Sequence, residues 1–349
     1  MKLANRLDNK YQNGRNMKFA FLMCTERSGS NFIVSLMNGH PEISGPPSSH
    51  LFRLFGLNAH NYYPIHREKN WQAFTSDLVA GQENMLSEWE TKIEAAELDT
   101  ACPNRTMREA LDYTYDKECR GNEQLSFVKE NYTHSVIAFL LATWPDAQFI
   151  FQIRDPRDVA ASWIKTRETV GGIKEAIQTW VKDQTESLRY FNQMSISGRA
   201  LQIRYEDLVA DTSDTAQKLC QHVGVKYDKV MLEYYKDKRT VKNAKRIQAW
   251  GNLAKPVMTS NFGKYKKSLS QHDIRYIELN CHELMTKFGY ALDTDVGALT
   301  QSQRTIEITE LENKLSAGIS ATEISKAELA IRTGRLALIE RVKNRVPVS

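Results

Sequence analysis

The chain has 349 residues, of which 26% are charged and 41% hydrophobic, with a formal net charge of +5. That is an ordinary soluble composition, long enough for one large α/β domain or a domain with an appendage. The mild positive charge suits an anionic ligand, but no dense Lys/Arg stripe with interleaved aromatics is present, which excludes nucleic acid as the expected partner.

Residues 1–16 are polar and read as a flexible arm. Phe19 to Cys24 is an unbroken apolar run of strand length, Thr25 to Ser30 a Ser/Gly-rich loop, and Asn31 to Asn38 a helix stopped by Gly39. A strand running through such a loop into a helix N-terminus makes an anion site. Arg27 adds a cation, Ser28 and Ser30 add hydroxyls, and Gly29 admits close backbone approach. His40 to Pro47 has room only for a short extended piece. Ser48-Ser49-His50 then precedes an apolar run, predicting a Ser-capped helix with His50 in its first turn. Residues 56–124 carry no clear strand. They read as a helical insertion (71–80, 85–98 and 107–119) rich in aromatics, expected to line an acceptor pocket.

Leu125 to Lys129 and Gln148 to Ile153 are further buried strands, separated by a helix from His134 to Thr143. Asp155 as cap, Pro156 at the first helical position and Asp158 predict a helix start. A long helix over 171–192 leads to a fourth strand over 199–203, followed by Tyr205-Glu206-Asp207. Residues 212–223 and 228–235 read as helices, 239–267 as a basic irregular stretch, and Ser270 opens a helix that reaches Phe288. From about 293 the texture becomes polar with scattered apolar anchors. This predicts a helical tail over 293–349 that docks on the domain or mediates a homodimer, carries no chemistry and can be removed without loss of fold.

Five scattered cysteines without a CxxC pair point to free thiols and a cytoplasmic location. The eight histidines lack metal spacing, and no transmembrane run of 18 apolar residues occurs. Strands alternating with helices imply a three-layer fold, a parallel sheet flanked by helices, with the ligand beyond the strand carboxyl ends. Four polar clusters fall there: Thr25–Asn31, Lys129–Tyr132, Arg154–Asp158 and Tyr205–Asp207. The first loop lacks the GxxxxGK[ST] spacing and its Lys, so a nucleotide handled without a metal fits better than a P-loop kinase-like phosphotransferase.

These segments resemble the sulfotransferases that use 3′-phosphoadenosine 5′-phosphosulfate, a family with a P-loop-NTPase-like fold, over roughly 18–290. The resemblance implies that Arg27, Ser28, Gly29, Ser30, Asn31 and Phe32 cradle the 5′-phosphosulfate. It implies that Arg154 and Ser162 in QFIFQIRDPRDVAAS grip the 3′-phosphate and that Tyr205 lies near adenine. The segment holding Gly263, Lys264, Tyr265 and Lys266 is expected to close over the 3′-phosphate, although it departs from the RKG-type version of the cytosolic steroid and phenol enzymes. Residues 17–292 would then form the sulfotransferase domain. The expected reaction is in-line sulfuryl transfer to an acceptor hydroxyl, on a carbohydrate or small molecule, without a metal, releasing adenosine 3′,5′-bisphosphate. Arg27 would stabilise the leaving phosphate and Lys129 would face the sulfuryl group. His50, Glu130 and His134 are the candidate bases, with His50 favoured and Glu130 expected to stay ionised beside Lys129. A non-catalytic nucleotide-binding or assembly protein on the same fold is the alternative.

Overall fold

The computed structural model describes residues 17–166, 169–246, 248–318 and 326–348; the expected arm lies outside them. Five parallel strands form one sheet: β1 (Lys18–Cys24), β2 (Ile43–Ser44), β3 (Leu125–Lys129), β4 (Gln148–Ile153) and β5 (Ala200–Arg204), in the order β2-β3-β1-β4-β5. β1 is central. Phe21 pairs with Val128 on one side and Phe149 on the other. Its alternation sorts two cores, because successive side chains leave a strand on opposite faces. Phe19, Phe21 and Met23 join one cluster with Phe52, Tyr115, Trp144 and Phe149. Ala20, Leu22 and Cys24 join the other with Ile33, Leu36, Ile150 and Leu219.

The helices are α1 (Ser30–Asn38), α2 (Leu51–Leu57), α3 (Glu68–Glu83), α4 (Ala95–Ala101), α5 (Met107–Lys117), α6 (Ile137–Thr143), α7 (Pro156–Trp163), α8 (Gly172–Ile196), α9 (Tyr205–Ala210), α10 (Thr212–Val223), α11 (Lys238–Arg246), α12 (Gln271–Lys287), α13 (Gln301–Glu312) and α14 (Lys326–Lys343). Asp155 caps α7 by accepting from Arg157 N, and Ser270 with Asp273 forms the capping box of α12.

Three expectations change. The stretch over 239–267 is not irregular throughout: it opens with α11, tied to the insertion by Arg239, whose Nη2 donates to Glu118 O at 3.0 Å. Residues 85–94 are not helical, and α4 begins at Ala95 behind a capping box from Glu94. The rings of the insertion, Tyr62, Trp71, Phe74, Trp89 and Tyr115, go into the core, because aromatic side chains bury the most apolar area per residue.

The tail lies against the domain. Leu338 and Val342 of α14 are buried in the β1 aromatic cluster. Arg341 and Arg345 converge on the buried Asp77, which also accepts from Tyr62 OH. Upstream, Ser316 N and Oγ donate to Asp273, and Leu311 packs into the α7–α8–α12 core.

Candidate active site

A cleft of about 960 Å³ opens over the carboxyl ends of β1, β3, β4 and β5. The turn after β1 is built from its own backbone. Ser28 N and Oγ both donate to Thr25 O, and Arg27 and Gly29 take left-handed conformations (φ 66° and 83°). Gly29 is required twice. Its φ disfavours a side chain, and an added Cβ would lie 2.2 Å from Cε2 of Tyr205. No side chain caps α1, and its first residues line the cleft, an arrangement that suits an anion. Ser30, Asn31 and Phe32 line the cleft with Arg27 and Gly29. Ser28 does not: its hydroxyl is spent inside the turn.

The β4 end joins this turn directly. Arg154 Nη1 donates to Arg27 O at 2.9 Å, and Arg27 Nε donates to Ser162 Oγ on α7 at 3.2 Å. The Arg154 guanidinium lies 4.3 Å above the Tyr205 ring, and its Nε is buried without a hydrogen-bond partner. Tyr205 OH accepts from Asn261 Nδ2 at 2.6 Å, and Asn261 Oδ1 accepts from Lys264 Nζ at 2.5 Å. Thus Arg27, Arg154, Ser162, Tyr205 and Lys264, separated by up to 237 positions in sequence, surround one end of the cleft. An orphaned guanidinium N–H and a glycine cradle fit an anionic nucleotide.

The rest of the late segment has another task. Asp158 accepts from Gly263 N and Tyr265 N, pinning the segment to α7. Tyr265 is buried, its OH on Asp293 and its ring against Arg157; Lys266 points to Asp293. Gly263, Tyr265 and Lys266 therefore hold the segment, and Lys264 is the member that reaches the cleft. Glu206, next to Tyr205, accepts from Asp155 N and Tyr290 OH and is structural.

At the other end, Lys129 is almost fully buried at the tip of β3, and burial pulls its pKa down. His50 lines the cleft, but its backbone differs from the expectation. It stands before α2 in a left-handed conformation (φ 60°) and does not cap with its side chain. Ser49 Oγ accepts from Leu51 N at 3.2 Å, and Glu130 takes the next two N–H groups. Its carboxylate accepts from Phe52 N (3.1 Å), Arg53 N (2.7 Å) and Ser49 Oγ (3.4 Å). Glu130 is buried away from the cleft, and burial pushes its pKa up to about 7 against the pull of those N–H groups, so it is not held ionised by Lys129. Its two oxygens cap the start of α2. His134 does not line the cleft and lies 3.7 Å from Asp183. The His50 pKa lies well below the ordinary imidazole value, first through burial, then through Lys129, Arg53 and Arg335. Its resting ring is therefore neutral.

Three arginines of the cleft escaped the sequence reading: Arg53 on α2 and Arg332 and Arg335 on α14. Arg335 Nη2 donates to Ser49 O at 3.2 Å, beside His50. Of the insertion, Leu86 and Ser87 reach the cleft; Trp250, Leu253 and Val257 add apolar wall. Among the described residues none of the five cysteines forms a disulfide. Among the described residues no helix is long and apolar enough to cross a membrane, and no group of three His, Cys, Asp or Glu is placed to hold a metal.

Comparison with known proteins agrees with this architecture. The sulfotransferase domain of the Synechococcus PCC 7002 olefin synthase shares the fold (TM-score 0.56, 19% identity) over 80% of this chain and 98% of that one. So does the sulfotransferase domain from the curacin biosynthetic pathway (TM-score 0.57, 18% identity), over 80% and 100%. The omega-hydroxy-beta-dihydromenaquinone-9 sulfotransferases Stf3 of Mycobacterium bovis (strain ATCC BAA-935 / AF2122/97) and Mycobacterium tuberculosis (strain CDC 1551 / Oshkosh) are 29% identical over 110 residues. The match spans 28% of this chain and 28% of the length of those relatives. The sequence profile described as the sulfotransferase family matches residues 20–229, well over half of the chain. The chain belongs to the sulfotransferase family.

Proposed function

We propose that this sulfotransferase takes its sulfuryl group from 3′-phosphoadenosine 5′-phosphosulfate and passes it to an acceptor hydroxyl by in-line displacement. The observation that carries this reading is the junction of two strand ends, where Arg154 holds the Arg27 carbonyl and Arg27 holds Ser162. Two arginines, a helix N-terminus and a serine hydroxyl there suit a nucleotide with two separated anionic groups. Arg154 and Ser162 are assigned to the 3′-phosphate and the Arg27–Asn31 turn to the 5′-phosphosulfate. The Tyr205 ring and the apolar wall around Phe32 and Trp250 take adenine.

When bound, the donor supplies an activated sulfur with a phosphate leaving group. The chain holds it in line and stabilises the charge that grows on the leaving oxygen. Arg27 meets that charge. Lys129 faces the sulfuryl oxygens. The neutral His50 ring takes the proton of the attacking hydroxyl, the oxygen forms the new S–O bond, and adenosine 3′,5′-bisphosphate leaves. Residues 17–292 carry this apparatus; a homodimer through the tail would use its exposed Leu329 and Leu336.

The test is an acceptor screen with labelled donor and mass detection. The wild type is expected to form a sulfated product. His50→Ala should lose about 10²–10⁴-fold in turnover with donor affinity kept. Arg27→Ala should lose both. Full turnover in His50→Ala removes the base assignment.

A further inference from the structure

The cleft carries more positive charge than its nucleotide end accounts for. Eight cations line it against two carboxylates, Glu26 and Asp158, and Asp158 is occupied by the Gly263 and Tyr265 amides. Arg27, Arg154 and Lys264 are tied into the nucleotide end by their contacts with Ser162, Tyr205 and Asn261. Arg53 and Arg335 stand elsewhere, beside His50. Arg53 Nη1 donates to Asn131 O at 3.3 Å, and its guanidinium lies 5.3 Å from the centre of the Tyr132 ring. Arg335 donates to two carbonyls, Ser49 O at 3.2 Å and Asn84 O at 3.4 Å. Among the described residues neither arginine has a carboxylate within ion-pair distance. The charge of Glu130 acts on both from outside ion-pair distance, and both its oxygens serve the start of α2. Arg332 stands at the same rim one helical turn away, paired with Glu328.

Two half-buried guanidinium groups lining one cleft, neither with a carboxylate in ion-pair contact, favour a ligand that brings negative charge. Their carbonyl contacts help to place α14 but do not neutralise their charge. Leu338 and Val342 already anchor α14, and Asp77 already takes Arg341 and Arg345. Resting on the sulfuryl-transfer reading of the same cleft, we propose that the acceptor is an anionic alcohol. Its carboxylate or phosphate would be held by Arg53 and Arg335, with Arg332 at the rim, so that its hydroxyl meets His50. The C-terminal helix is then an acceptor-binding element. The arginines take no part in bond making; they fix the acceptor by charge-assisted, fork-shaped hydrogen bonds.

The test is calorimetry on the full chain, with and without saturating adenosine 3′,5′-bisphosphate. The probes are ω-hydroxy carboxylates of short, medium and long chain, their methyl esters, and the matching ω-hydroxyalkyl phosphates. At one length or more, a carboxylate or a phosphate is expected to bind about 10–100-fold more tightly than the uncharged ester. Which of the two binds better assigns the anion. Arg53→Gln/Arg335→Gln should erase that preference while nucleotide affinity stays within about twofold, and Arg53→Lys/Arg335→Lys should keep part of it. If the esters match the anions at every length, or no anion binds, the proposal is overturned. It is equally overturned if the preference survives in the glutamine variant. Failure of the nucleotide to bind the wild type counts against the donor reading instead, and the anion arm without nucleotide is still scored.

Discussion

At the scale of single residues, the site works by separating groups that a sequence places side by side. Lys129 and Glu130 are neighbours in sequence, yet one faces the cleft and the other caps α2. That cap holds His50 in a left-handed conformation that costs of the order of 1–3 kcal/mol and persists only when its surroundings impose it. A neutral His50 makes a pH prediction. The acid limb of kcat should lie below the ordinary imidazole value of about 6.5. Removing a nearby cation with Arg335→Gln should move that limb to higher pH, because Arg335 is one of the charges that disfavour protonation. A limb that stays in place in the variant removes His50 as the titrating base. Gly29→Ala should abolish nucleotide binding and lower stability by about 1–3 kcal/mol, since the methyl group would enter the Tyr205 ring in a strained backbone; thermal melts and calorimetry check both. Glu130→Gln adds a stability test. Burial raises the carboxyl from 4.5 in the unfolded chain to about 7 in the fold. Its contribution is therefore fully present below pH 4.5 and lost as pH rises to about 7, up to roughly 3 kcal/mol. The glutamine variant should lose less stability than the wild type between those pH values, as measured by denaturant unfolding.

At the scale of elements, four strands were legible because each is a short apolar run bounded by turn residues, and each ends in a polar cluster. The site clusters at Arg27, Arg154 and Tyr205 were legible for the same reason: in a parallel sheet the strand ends share one edge. β2 was not, because two residues carry no period. α11 was missed since its Lys and Arg residues read as solvated charge, while Arg239 is buried on Glu118. α14 was read as an appendage because its apolar residues are sparse. Its place depends on Asp77, Asn61 and Ser49, more than 260 positions away, and no local pattern records such distances. The contacts change the outcome expected of truncation. Deleting residues 326–349 exposes the Leu338 and Val342 sockets, each worth about 1.5–3 kcal/mol, and leaves Asp77 buried without its arginines. The shortened chain should melt well below the full one and lose acceptor turnover. An unchanged melting temperature would return the tail to the status of an appendage.

At the scale of the whole molecule, the proposed reading makes the fold a frame that brings two anion sites to the mouth of one sheet. Loops after β1 and β4 build the nucleotide end, and α2 with the returning C-terminal helix builds the other. Between them stand Lys129 and His50, where a transferred group would pass. The central claim is that the first end takes a nucleotide with a 3′-phosphate and needs no metal. Calorimetric titration with adenosine 3′,5′-bisphosphate and with adenosine 5′-phosphate, each in magnesium and in chelator, tests it most directly. The bisphosphate is expected to bind much more tightly than the monophosphate under both conditions. Arg154→Ala and Ser162→Ala should reduce that difference by about 10–100-fold, the loss of a charged hydrogen bond. Equal affinity for the two nucleotides, or binding that appears only with magnesium, would contradict the claim.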